Sequence, residues 1–376
     1  MLIDQTTPVT VARLTCLART LVIEWTDGGR SEFHYVWLRD NAREAHHANG
    51  QRTIYTATLP PRLKARRAQQ LENGLIEIVW ANDSQVSTFA PAWLRGHDYQ
   101  NATWPTWRDQ HKLWGGIFKQ AIPELPYTAV TTDPNALRLW LAMIKDYGFA
   151  ILRGVPLKSG AVAEVVELFG FVRETNFGRY FDVKNSVTPT KLTYTNLTVD
   201  PCTSNAYRNP APTLQLFHCL SSSLEGGESV VVDGFMVADT LRRQALEKFI
   251  LLSTIPIRFH YSDEQTSLTH ETPVIRLNSR HEIEAIYFSN HAASPFYLES
   301  TQMEAYYEAY ITFGQMLASP QFQFCFRLEP GDLSITDNRR VLSGRTAFSG
   351  VGQRHLQCCF AERDSLDSKL AVLSRY

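Results

Sequence analysis

Tyr194-Thr-Asn-Leu-Thr-Val-Asp-Pro-Cys202-Thr203-Ser204-Asn-Ala-Tyr-Arg-Asn-Pro-Ala-Pro-Thr-Leu-Gln-Leu-Phe-His218-Cys219 is the stretch whose reading decides the fold. It ends in a strand-like run, Thr213 to Leu220, the first of a series: Ser229 to Val232, Val274 to Leu277, Glu284 to Phe288, Gln321 to Leu328 and Leu356 to Phe360. Helical patterns near 236–251 and 302–318 interrupt the series, so a β-rich core with helices outside is expected. Upstream, Asn135 to Tyr147 is a helical pattern closed by Gly148, followed by the strand Phe149 to Leu152, a turn at Gly154-Val-Pro156 and a short helix from Ala161 to Phe169.

The first hundred residues read differently, as short strands and turns. Leu21 to Trp25, the hairpin signal Asp27-Gly-Gly29 and the alternating run Ser31 to Trp37 predict one antiparallel module. Leu75 to Trp80, Asn82-Asp83-Ser84 and Ser87 to Phe89 predict a second hairpin. The basic cluster Arg62 to Arg67 between them reads as solvated surface. Trp104, Pro105, Trp107 and Trp114 mark an ordered connector, since aromatic anchors argue against a flexible linker.

Lys plus Arg (37) and Asp plus Glu (38) nearly cancel, which leaves no electrostatic footprint for nucleic acid or an acidic membrane surface. A small-molecule or peptide ligand, or a partner enzyme, is the expected company, and a homodimer is left open. Six cysteines without a CxxC spacing, an N-terminus without a basic start and apolar run, and no apolar stretch near the roughly 20 residues of a membrane helix together predict a cytoplasmic protein.

Several motifs recur in order: Trp37-Leu-Arg-Asp-Asn41; Tyr147-Gly-Phe-Ala-Ile-Leu-Arg-Gly-Val-Pro156; Gly178-Arg-Tyr-Phe-Asp-Val183; Pro212 to Cys219; Gly226 to Phe235; Glu329-Pro-Gly-Asp332; and Asp337-Asn-Arg-Arg-Val-Leu342. Jointly they resemble the gamma-butyrobetaine hydroxylase branch of the TauD-like Fe(II)/2-oxoglutarate oxygenases. The resemblance implies a mostly β fold with flanking helices, a double-stranded β-helix (jelly roll) at 131–376, behind a small N-terminal β domain at 1–100 and the connector at 101–130. Many relatives bind zinc in the small domain, but here Ala42-Arg-Glu-Ala-His46-His47 follows the first motif and offers no thiolate, so both histidines read as surface residues.

Non-haem iron oxygenases need two histidines and one carboxylate on one face of the metal. Where the resemblance implies His-Thr-Asp this chain has Cys202-Thr203-Ser204, and where it implies the distant histidine it has Ser343. None of the 11 histidines begins a His-x-Asp or His-x-Glu motif. The expectation is therefore a protein that is not a 2-oxoglutarate oxygenase, with no metal and no cofactor: a metal-independent lyase, isomerase, hydrolase or cyclase of specialised metabolism, with Cys202 as nucleophile and His218 or His355 as base. A non-catalytic binding or scaffold protein is the alternative. A second alternative is an Fe(II)/2-oxoglutarate-dependent hydroxylase of a betaine-like substrate.

Around this position the resemblance implies a surviving pocket. Arg354 stands where similar proteins clamp a carboxylate of 2-oxoglutarate, and Arg345 lies nearby, both suited to bidentate carboxylate binding. Phe177, Phe181 and Tyr194 match positions of an aromatic cage for a quaternary ammonium group, and Ser289-Asn290 matches a site that holds the substrate carboxylate.

Overall fold

The computed structural model describes residues 10–81, 85–102, 106–116, 122–184, 195–223, 225–349 and 352–375. The chain divides into two units, Met1–Trp104 and Pro105–Tyr376.

The smaller unit holds two three-stranded antiparallel sheets, Val11–Cys16, Thr20–Trp25 and Arg30–His34 in one, Ala65–Gln70, Ile76–Trp80 and Val86–Phe89 in the other. Its core is built by period-two burial: Leu21, Ile23 and Trp25 on one strand and Ile76, Ile78 and Trp80 on another. The predicted strand Ser31 to Trp37 stops early. Its pairing ends at His34, opposite Thr20, and Tyr35–Asp40 turns into a helix that buries Tyr35 and Leu38, three residues apart, in the same core. His46 places its Nδ1 3.0 Å from the Ala42 carbonyl oxygen, and no group of three metal-capable side chains occurs among the described residues.

The larger unit is the jelly roll. One sheet has four strands in the order Val199–Cys202, Val341–Arg345, Ser229–Asp233, Gln323–Phe326. The other has six, in the order Glu124–Pro126, Phe149–Arg153, Leu333–Asp337, Leu214–Ser222, Arg354–Ala361, Phe181–Lys184. On the central strand, Leu214 and Leu216 join a core with Trp140, Leu141 and Ile144 of the helix Pro134–Tyr147 and with Val162, Val165 and Val166 of the helix Ala161–Glu167. Gln215 and Phe217, pointing the other way, line a cavity between the sheets.

Local chemistry explains the long helix. Pro134 occupies its first turn, the Asp133 carboxylate accepts the Asn135 N–H at 2.8 Å, and Gly148 ends it at φ 77°. A Cβ at Gly148 would come within 2.8 Å of the Val341 side chain, so the position needs glycine for its backbone angle and for space.

Two expectations change here. The helical pattern near 236–251 is two helices, Gly234–Gln244 and Leu246–Thr254, broken at Ala245 (φ −148°) so that both pack with Ser300–Ala318 in one core. No glycine or proline marks that break; packing alone decides it. The unit boundary falls inside the Trp-rich segment: Trp107 and Trp114 are buried in the larger unit, and the Trp114 indole N–H donates to the Tyr147 carbonyl at 2.7 Å.

One buried ion pair ties the four-stranded sheet to its surroundings. Arg340 and Asp233 are both fully buried and bond twice, at 3.1 and 2.8 Å. Asp233 also caps the helix Gly234–Gln244, while Arg340 donates to the Lys112 and Asp146 carbonyls. Every strong polar group of this cluster has a partner, which is the condition under which a buried charge is tolerated.

Candidate substrate cavity

The cavity between the sheets encloses about 420 Å³. Register sets its floor. Cys202 stands opposite Ser343 on the neighbouring strand, with Val231 on the other side of Ser343. Gln215 reaches in from the opposing sheet, and its carboxamide oxygen accepts from Ser204 Oγ at 2.7 Å and from Ser343 Oγ at 3.4 Å. Asn338 clamps the backbone of Ser204, accepting its N–H at 2.8 Å and donating to its carbonyl at 2.9 Å. Thr203, completely turned away from solvent, fastens the same loop to the Ile286 and Phe288 carbonyls.

Thus the three residues picked out as Cys202, Ser204 and Ser343 meet at one place: Gln215 joins the two serines, Asn338 holds Ser204, and strand pairing sets Cys202 opposite Ser343. Gln215 and Asn338 stood inside recognised motifs but carried no signal of their role. Their function depends on which face of a strand or turn meets the loop, and that comes from pairing between distant segments.

Cys202 is a protonated thiol here. Burial pushes its pKa up to about 12, against the lowering effect of the Ser289 hydroxyl. The bases expected for it are elsewhere. His218 is wholly buried on the helix-facing side of its strand and does not line the cavity, and burial lowers its pKa. His355 bonds through Nε2 to Asp182 at 2.7 Å, at the sheet's outer edge, and likewise does not line the cavity. The Cys–His pairing is therefore not formed.

Other expected residues separate in the same way. Phe177, Phe181, Ser289, Arg345 and Arg354 line the cavity, whereas Asn290 is exposed and is not part of the lining. Tyr194 lies outside the described residues. Two further rings complete the aromatic wall: Tyr261 stacks on Tyr207 (4.8 Å, 20°) and meets Phe177 edge-on at 6.0 Å, while Phe177 and Phe181 are 5.2 Å apart. Tyr207 and Tyr261 come from a loop and from the hairpin Pro256–Ser262, Ser267–Pro273, so their convergence with Phe177 is a tertiary event.

Residues 111–360 match the TauD/TfdA family, described as taurine catabolism dioxygenase, and residues 13–95 match the gamma-butyrobetaine hydroxylase-like N-terminal domain. The chain belongs to the TauD/TfdA dioxygenase family. It is 34% identical to the gamma-butyrobetaine dioxygenase of Pseudomonas sp. strain AK-1, over 97% of this chain and 96% of that protein. It is 28% identical to the mitochondrial trimethyllysine dioxygenase of Homo sapiens, over 89% of this chain and 81% of the relative. Among solved structures, PvcB from Pseudomonas aeruginosa aligns with a TM-score of 0.48 at 19% identity, covering 62% of this chain and 81% of that one.

These relatives overturn the metal-independent reading. A chain matched almost end to end by dioxygenases is not supported as a lyase, isomerase, hydrolase or cyclase, and the expectation of no cofactor falls with it. The donor set on the cavity floor is a separate observation. It comprises one thiol, two hydroxyls and a carboxamide, which do not fit the two-histidine, one-carboxylate seat of a non-haem Fe(II) centre. No helix among the described residues is long and apolar enough to cross a membrane.

Proposed function

We propose that this TauD/TfdA-family protein recognises a betaine-like small molecule in the jelly-roll cavity, the substrate class for which its relatives are named. The observation that carries the reading is the four-ring wall of Phe177, Phe181, Tyr207 and Tyr261 in the same cavity as the Arg354 guanidinium. A trimethylammonium group cannot be hydrogen-bonded, so aromatic faces are the groups that hold it, while a guanidinium fork holds a carboxylate. Burial keeps the Tyr207 hydroxyl protonated, so its ring acts as a neutral face. We place the protein in the cytoplasm, where its six free cysteines stay reduced.

The test is calorimetric titration with gamma-butyrobetaine and with 5,5-dimethylhexanoate, its carbon isostere that keeps the carboxylate and lacks the cationic head. The betaine is expected to bind several-fold more tightly, since cation–π attraction is worth about 0.5–2 kcal/mol, and Tyr261→Ala should erase the difference. Equal affinities in the native protein, or no binding of the betaine at millimolar concentration, would refute the reading.

A further inference from the structure

We infer that Ser204 and Ser343 make the cavity floor a seat for an alcohol, where they accept the hydroxyl proton of a small ligand. The inference shares the cavity of the proposed function but stands on its floor, not on its aromatic wall.

Both serine protons are already committed. A hydroxyl carries one proton and two lone pairs. Ser204 Oγ donates to the Gln215 carboxamide oxygen at 2.7 Å, and Ser343 Oγ donates to the same oxygen at 3.4 Å. Gln215 is buried with its nitrogen turned to the Cys358 sulfur at 3.6 Å, which leaves its oxygen on the serine side. Both serines line the cavity and keep part of their surface open, and among the described residues neither oxygen receives a hydrogen bond. The floor therefore presents lone pairs and lacks a donor.

The arrangement is also held in place. Asn338 grips the Ser204 backbone at its N–H and its carbonyl, Thr203 fastens the same loop, and Ser343 sits mid-strand with a paired neighbour on each side. Turning both protons toward a ligand would strand the buried Gln215 oxygen, which costs more than a single hydrogen bond returns. Asn205, the next residue and also in the lining, adds a complementary group: its carboxamide oxygen accepts from the Tyr207 hydroxyl, while its buried nitrogen has no partner. An alcohol suits this set, because its O–H donates to a serine while its oxygen can accept from an amide. A keto or carboxylate oxygen brings only more lone pairs to the serines, and a methylene brings no polar group.

The test is calorimetric titration of the intact protein in chelator-containing buffer with two sets of probes. One set is 4-hydroxypentanoate, 4-oxopentanoate and pentanoate; the other is choline and propyltrimethylammonium, which differ in one hydroxyl. In at least one set the alcohol should bind at least about fivefold more tightly than its analogues, as one hydrogen bond in a site shielded from water implies. That preference should shrink in S204A and in S343A, disappear in the double variant, and persist in S343T, which keeps the hydroxyl. Absence of a hydroxyl preference in both sets, or its survival in a folded double variant, would overturn the inference. If the double variant does not fold, the two single variants decide by the same criterion. A hydroxyl preference among the acids with no binding of either ammonium probe would count against the aromatic-wall reading alone, whereas tight betaine binding without a hydroxyl preference in either set would sink this inference alone.

Discussion

The strands Ser229–Asp233 and Val341–Arg345 are paired over their length, yet their two ends use arginine in opposite ways. At one end, Val341 opposes Asp233, and the adjacent Arg340 is locked to that carboxylate with both groups fully buried. At the other, Arg345 opposes Ser229 and faces a cavity whose described lining has a second arginine and no acid. The backbone is the same ladder throughout, so the difference lies in what the side chain is offered. Arg340 meets a carboxylate at one end, while at the other Arg345 donates to the Thr195 carbonyl and lines the cavity beside Arg354.

The comparison breaks most sharply at the paired end. Arg340→Met leaves Asp233 buried without its cation and frees two backbone carbonyls, so stability should fall by about 3–5 kcal/mol in denaturant titration. A loss below about 1 kcal/mol would mean that the pair is not what distinguishes this end. Next comes the cavity floor. Installing Cys202→His, Ser204→Asp and Ser343→His together places two imidazoles and a carboxylate where a thiol and two hydroxyls now meet Gln215, and Fe(II) affinity should rise at least about tenfold in anaerobic titration. An unchanged affinity would show that these three positions do not converge on a metal seat. Arg345→Met, by contrast with Arg340→Met, should leave the ligand-free protein within about 1 kcal/mol of its native stability, since removing a repelled charge offsets the lost contacts.

The smallest effect concerns acid. Asp337 is buried, which alone would raise its pKa, but Arg363 and Arg339 hold it below the ordinary carboxylate value. A depressed folded-state pKa contributes stability that is present above the unfolded-state pKa and lost as pH falls through the folded one. Unfolding midpoints of native protein and Asp337→Asn should therefore differ near neutral pH and converge below about pH 4. Parallel pH curves would remove Asp337 from the acid response.

Much of the fold was legible because its signals are local. The alternation in Thr213 to Leu220, the Pro134 and Gly148 boundaries of one helix and the Gly-Gly hairpin at 28–29 act within a few residues. The small helix Tyr35–Asp40 and the break at Ala245 were not legible, since each answers to a core assembled from distant segments. The same division runs through the cavity. Cys202, Ser204, Ser343 and the two arginines could be picked from motif spacing, but His218 and His355 could not be excluded without knowing strand faces and partners.

By itself, then, the sequence determined which chemical groups the protein carries: a thiol and hydroxyls where iron ligands were expected, arginines nearby, and aromatic rings. Only the tertiary structure decided which of them share a space. Side-chain direction alternates along a strand and flips with a one-residue shift of register, so Gln215 enters the cavity while His218, three residues on, is turned into the helix-covered core.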